Sequence, residues 1–129
     1  MAKGDSFEYH LEMGSFKVTV PGSTVALKDH EQVVKDAPDL GFSELWSSAV
    51  ERYDAFSPLL VAVNWTCSLQ LGIAIVPVFG GGPVTLAMSV SALCDGAPDR
   101  VSIGVGSSST YDCGALELKY QGTGDTVRF

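Results

Sequence analysis

From Ala55 to Cys94 the chain contains not one Asp, Glu, Lys or Arg, although 18% of its 129 residues are charged. No other feature constrains the fold as much, because so long a run without charge is either the interior of a domain or a segment that meets lipid. A transmembrane helix needs about 20 consecutive apolar residues. Here Asn64, Thr66, Ser68, Gln70, Pro77 and Gly80-Gly81-Gly82 interrupt at short intervals. The run therefore reads as buried β-sheet rather than a membrane hairpin. Leu59-Leu60-Val61-Ala62-Val63 and Leu71-Gly72-Ile73-Ala74-Ile75-Val76 are nearly continuous and rich in β-branched residues, the pattern of strands covered on both faces.

A helix is expected to lead into these strands. Leu45, Ala49 and Tyr53 recur at i, i+4 and i+8, with Trp46 and Val50 on the flank, while Glu44, Ser48, Glu51 and Arg52 turn outward. This places one main helix near 43–54. Pro58 disfavours the α region for Ser57, so the chain is expected to leave extended there.

Elsewhere the period is two. Phe7, Tyr9, Leu11 and Met13 alternate with polar residues, and after Gly14-Ser15 the alternation resumes over 16–20 and stops at Pro21-Gly22-Ser23. These two runs are either a hairpin or one strand bulged at Gly14. Residues 24–42 read as a surface connection with a short helix over 29–35, bounded by Pro38 and Gly41. Val84, Leu86, Met88 and Val90 alternate with Thr85, Ala87, Ser89 and Ser91, as in a strand. Residues 101–105 and 115–120 are further strands, and the tail after Gln121 adds an edge. Seven to eight short strands, Gly/Pro/Ser turns and one main helix predict a mainly β protein, a β-sandwich or barrel forming a single domain over 1–129.

The residues offer little chemistry. With 8 Lys and Arg against 15 Asp and Glu, a net charge of −7 argues against strong nucleic-acid binding. Cys67, Cys94 and Cys113 have no C-x-x-C spacing and no basic neighbour, so neither a disulfide framework, a zinc site nor a reactive thiolate is indicated, and a reducing compartment fits. The first residues lack the apolar core of a signal peptide. His10 and His30 are the two histidines, too few for a metal-binding barrel interior. Gly106-Ser107-Ser108-Ser109 is not a nucleophile elbow. Gly80-Gly81-Gly82 is followed by Pro83 and an expected strand, whereas a phosphate loop needs a helix there. Asn64-Trp65-Thr66 is formally a glycosylation sequon but ends an expected buried strand. Trp46, Tyr53 and Trp65 could line a sugar platform, but their placement reads as core packing. No catalytic residue, cofactor or metal is expected.

The order of elements resembles a known family. A strand ending in Val20-Pro21-Gly22-Ser23, a loop, a helix of the form L-W-x-x-A-V-x-x-Y-D-x-F over 45–56, a strand over 59–65 and a second over 72–78 closing in V-P-V resemble strand C, helix A, strand D and strand E of the jelly-roll capsid proteins of small icosahedral positive-strand RNA viruses. Gly114 to Tyr120 (GALELKY) is similar to the last strand of that fold. The basic N-terminal arm of many such proteins is missing, since only Lys3 precedes Phe16. The resemblance implies an antiparallel β-sandwich of jelly-roll type and a structural, non-enzymatic virion subunit. Its partners would be other capsid-like subunits in a homo- or hetero-oligomer, with no membrane contact, and its location the virion or otherwise the cytoplasm. Asp29, Glu31, Asp36 and Asp39 would then meet other carboxylates across subunit contacts, favouring assembly at mildly acidic pH. The alternative is a non-enzymatic β-sandwich binding module, recognising carbohydrate or protein or acting as a jelly-roll movement-type protein.

Overall fold

The computed structural model describes residues 10–12, 15–19, 26–49, 53–78 and 80–107. The expected turn at 20–23, the strand at 115–120, the tail and Cys113 lie outside the described residues.

The architecture is α/β, not an antiparallel sandwich. Strand β1 (His10–Glu12) pairs antiparallel with β2 (Ser15–Thr19), so of the two readings of the N-terminal runs the hairpin is the one adopted. A 3₁₀ turn (Leu27–His30) and helix α1 (Glu31–Asp36) lead to β3 (Phe42–Ser47). Helix α2 (Ser57–Ala62), β4 (Gln70–Pro77), α3 (Pro83–Gly96) and β5 (Val101–Gly106) follow. The sheet order is β1-β2-β3-β4-β5, and each step from β2 to β5 is parallel. Parallel neighbours need a crossover, supplied here by helices. In a doubly wound sheet the strand order reverses at a switch point; among the described strands it advances without reversal, as in a β/α barrel.

Three sequence expectations fail, each for a physical reason. Residues 42–47 are a strand, not the start of a helix near 43–54. The helical stripe through Leu45, Ala49 and Tyr53 coexists with an alternation that buries Leu45 and Ser47 on one side, and pairing with β2 on one edge and β4 on the other decides the outcome. Residues 57–62 are helix α2, not a strand. Pro58 sits in its first turn, where the missing N–H costs nothing, so the residue read as a stop is a start. Asp54 Oδ1 accepts hydrogen bonds from the amides of Phe56 (2.7 Å) and Ser57 (2.8 Å) and fixes that start. Residues 83–96 are helix α3. Gly82 caps it in extended conformation and Pro83 opens it; Leu86, Val90, Leu93 and Ala97 then recur on the face that packs inward. At 14 residues it exceeds any ordinary strand. None of these helices is long and apolar enough to cross a membrane.

One core unites the helices with one face of the sheet. Leu45, Leu71 and Ile73 of the strands, Leu69 before β4, and Leu59 and Leu93 of the helices are fully buried together with Val34 of α1. Each contributes roughly 1.5–3 kcal/mol of burial free energy. Below this core, Arg100 Nη1 donates to the carbonyls of Leu69 (2.8 Å) and Thr66 (3.4 Å), tying the loop before β4 to the start of β5.

Candidate active site

The sheet face away from the helices has a different composition. Register sets Glu44 beside Gln70, Trp46 beside Gly72 and Gly72 beside Ser102, and these five residues with Leu71 line a cavity of about 110 Å³. Further along the strands the same face carries Ala74 and Gly104. In a β/α barrel the helices surround the strands, so this face corresponds to the interior, and the C-terminal strand ends to the end where barrel enzymes act.

Trp46 defines one side of the site. Its indole Nε1 donates to Glu44 Oε2 at 2.6 Å. The ring lies directly over Gly72, where an added Cβ would come within 2.5 Å of Trp46 Cδ2, so no side chain fits beneath it.

A bulge in β4 defines the other side. Ile73 pairs with Ile103 and Val76 with Val105, so Ala74 and Ile75 together oppose the single residue Gly104. The Ala74–Ile75 peptide is cis. A Cβ at Gly104 would lie 2.8 Å from the carbonyl oxygen of Ile73 and 3.5 Å from Ile75 Cγ2. One at Gly106 would lie 3.1 Å from Ile75 Cδ1. The bulge thus rests against β5 where two glycines leave space.

Loops complete this end. Ser47, buried at the end of β3, donates its Oγ to the carbonyl of Ala55 at 2.5 Å and folds the loop back on the strand. Burial alone would raise the Asp54 carboxyl; the hydrogen bonds from the Ser57 hydroxyl and the Ser57 and Phe56 amides outweigh it and hold the group below its ordinary range. Gly80-Gly81-Gly82 leads into the 14-residue helix α3, not into the strand expected there.

The acidic residues singled out from sequence lie elsewhere, on the connection between β2 and β3. Asp29 is exposed in the 3₁₀ turn, Glu31 pairs with Lys35 at 2.5 Å, Asp36 accepts from Gln32 Nε2 at 2.8 Å, and Asp39 is exposed in the turn after α1. Beside them His30 is 4% exposed, and among the described residues its Nε2 has no hydrogen-bond partner. Burial lowers its pKa below the ordinary value, against a smaller upward pull from Asp29. Cys67 and Cys94 are exposed and unbridged. Among the described residues no group of three or more His, Cys, Asp or Glu could hold a metal. Gly72, Gly104 and Gly106 were missed in the sequence because a glycine's meaning in a strand depends on what crosses it. Gly104-Val105-Gly106 inside an apolar strand was the available signal.

Residues 12–112 match the profile of the family described as luciferase-like monooxygenase. The chain belongs to that family. No curated protein matches it in sequence. Among solved structures it is similar to the coenzyme F420 dependent tetrahydromethanopterin reductase from Methanopyrus kandleri, with a TM-score of 0.72 and 21% identity over 82% of this chain and 30% of that one. It is also similar to monooxygenase RslO1 from Streptomyces bottropensis, with a TM-score of 0.61 and 22% identity over 78% of this chain and 33% of that one. The chain spans about a third of each of those proteins. These likenesses agree with the barrel-type strand order. The parallel sheet and these likenesses overturn the jelly roll, and the family match overturns the capsid family, the non-enzymatic virion subunit, its binding-module alternative and the virion location. Where the viral resemblance needs a helix over 45–56 and a strand over 59–65, the structure has the strand Phe42–Ser47 and the helix Ser57–Ala62.

Proposed function

We propose that this chain forms part of an oxidoreductase site that holds a flavin-type coenzyme, F420 or flavin mononucleotide, on the inner sheet face between the Trp46–Gly72 stack and the β4 bulge, open toward the C-terminal ends of β4 and β5. The observation that carries this reading is the β4 bulge seated on Gly104 beside the Trp46–Gly72 stack. Gly72 is covered by the Trp46 ring and Gly104 by the bulge, so the exposed Ala74 lies between Trp46 and Ile75 where no large side chain stands in the way of a flat ring. Bulges occur disproportionately next to active sites, where they re-aim side chains, and this one lies toward the end of the sheet where barrel enzymes work. The name of one solved neighbour specifies coenzyme F420, and both the family description and the second neighbour's name specify a monooxygenase, so the names agree on redox chemistry.

When bound, such a coenzyme supplies hydride-transfer chemistry that side chains lack. The protein's part is placement. Trp46, held by Glu44, fixes one edge of the site, and Ile75 on the bulge fixes the other. The Ser47–Ala55 hydrogen bond sets how the loop after β3 borders the site.

Titration of the purified chain with F420 and with flavin mononucleotide, followed by coenzyme absorbance, tests the proposal. Saturable, stoichiometric binding of at least one is expected. Failure of both to bind contradicts it.

A further inference from the structure

The bulge on β4 is only as well placed as the strand beneath it. Of the residues beneath, Gly104 faces the Ile73 carbonyl at a distance that leaves no room for a Cβ, and Gly106 faces the tip of Ile75. The two contacts differ in kind. At Gly104 the first obstacle to a methyl group is backbone, which moves only if the bulge moves; at Gly106 it is the far end of a flexible side chain. We propose that Gly104 and Gly106 are positioning residues for the coenzyme site, Gly104 by setting the height of the β4 bulge and Gly106 by setting the rotamer of Ile75. Neither need touch the coenzyme, and each acts through Ile75 and its backbone. The inference rests on the coenzyme reading above.

This division has a signature that general destabilisation does not share. Gly104→Ala drives a methyl group against the Ile73 carbonyl, displaces the bulge, and is expected to weaken binding of F420 or flavin mononucleotide about tenfold or more, equivalent to roughly 1.4 kcal/mol of binding free energy. Gly106→Ala is expected to weaken it less, and Ile75→Val, which removes Cδ1, is expected to restore binding in the Gly106→Ala background but not in the Gly104→Ala background. Gly96→Ala is the control for crowding alone. A Cβ there meets Val63 Cγ1 at 3.2 Å, a similar conflict on the helix side of the sheet, and coenzyme affinity is expected to stay unchanged whatever the loss of stability.

Dissociation constants of both coenzymes for the parent, Gly104→Ala, Gly106→Ala, their Ile75→Val doubles and Gly96→Ala are measured beside the thermal midpoint of each. The expected result is weakened binding in the two β5 variants with rescue in the Gly106→Ala background only. If Gly104→Ala does not fold, the Gly106→Ala pair still decides, because rescue there is specific to the Ile75 contact. A parent that binds, with β5 variants that bind equally well or are not distinguished by Ile75→Val, overturns this inference and leaves the coenzyme reading standing. A parent that binds neither coenzyme overturns both.

Discussion

The two faces of this sheet, made by alternate residues of the same strands, have different compositions. Toward the helices stand Leu45, Leu71 and Ile73, fully buried, with Val101 and Ile103 packed against them. Toward the other side stand Glu44, Trp46, Gln70, Gly72, Ala74, Ser102 and Gly104, mostly small or polar, of which Gln70, Ala74 and Ser102 are exposed. A face selected only for stability would repeat the aliphatic pattern, because parallel sheets are usually covered on both sides. The second face instead sacrifices side-chain volume at three glycine or alanine positions and keeps one large aromatic group held by a carboxylate. That contrast separates what holds the fold from what the fold presents.

The largest expected difference between the faces is in stability. Leu71→Ala, at a fully buried position, should cost about 2–5 kcal/mol. Its neighbour Gln70→Ala, exposed on the other face, should change stability by no more than about 0.5 kcal/mol. Urea unfolding of both variants measures the gap, and equal losses would erase the distinction.

Next is Gly72→Ala, expected to cost about 1–3 kcal/mol by overpacking against the Trp46 ring. Replacing Trp46 by Ala in the same chain should relieve most of that cost. Additive losses in the double variant would mean that the ring does not rest on Gly72.

A smaller effect is expected at the loop that borders the site. Asp54→Ala should cost about 1 kcal/mol by leaving the amides that start α2 without their acceptor, with Asp54→Asn retaining part of the stability. Chemical unfolding of the pair checks it.

The smallest effect concerns pH. His30 has a lowered pKa in the fold, so between its ordinary value near 6.5 and its folded value the unfolded chain binds the proton and the folded chain does not. The parent should therefore lose stability as pH falls below about 6.5, and His30→Leu should flatten that slope. Asp54, whose pKa is lowered from an ordinary value of 3.8, loses its contribution only in a more acidic window. A parent whose stability is flat between pH 7 and 5 would contradict the assignment.

Part of this fold was legible in the sequence. The alternation over 16–20, the apolar run at 71–76 and the strand at 101–105 reappear as β2, β4 and β5, and the expected short helix at 29–35 overlaps α1. These elements carry one period each. The failures are stretches that satisfy two periods at once. The helical stripe expected near 43–54 overlaps an alternation over 43–47, and pairing with β2 and β4, distant in sequence, decides for the strand over 42–47. Residues 84–90 alternate in pairs yet also place Leu86 and Val90 four apart, and Pro83 after Gly82 was the local sign that a helix begins there. Once α2 and α3 are read as strands, a parallel β/α pattern becomes an antiparallel one, and the viral resemblance follows from that exchange. The site was less legible still. Trp46 was visible as an aromatic residue, but its position over Gly72 depends on strand register, and Gly104 matters only because β4 bulges across from it.

The most direct test of the account is local fluorescence on the inner face. The chain has two tryptophans, Trp46 on that face and Trp65 packed against the helix-side core. In Trp65→Phe, where Trp46 is the remaining reporter, titration with F420 or flavin mononucleotide should quench the emission saturably, with the same dissociation constant as coenzyme absorbance gives. Binding seen by absorbance that leaves Trp46 emission unchanged would place the coenzyme elsewhere and contradict the assignment of this face as the site.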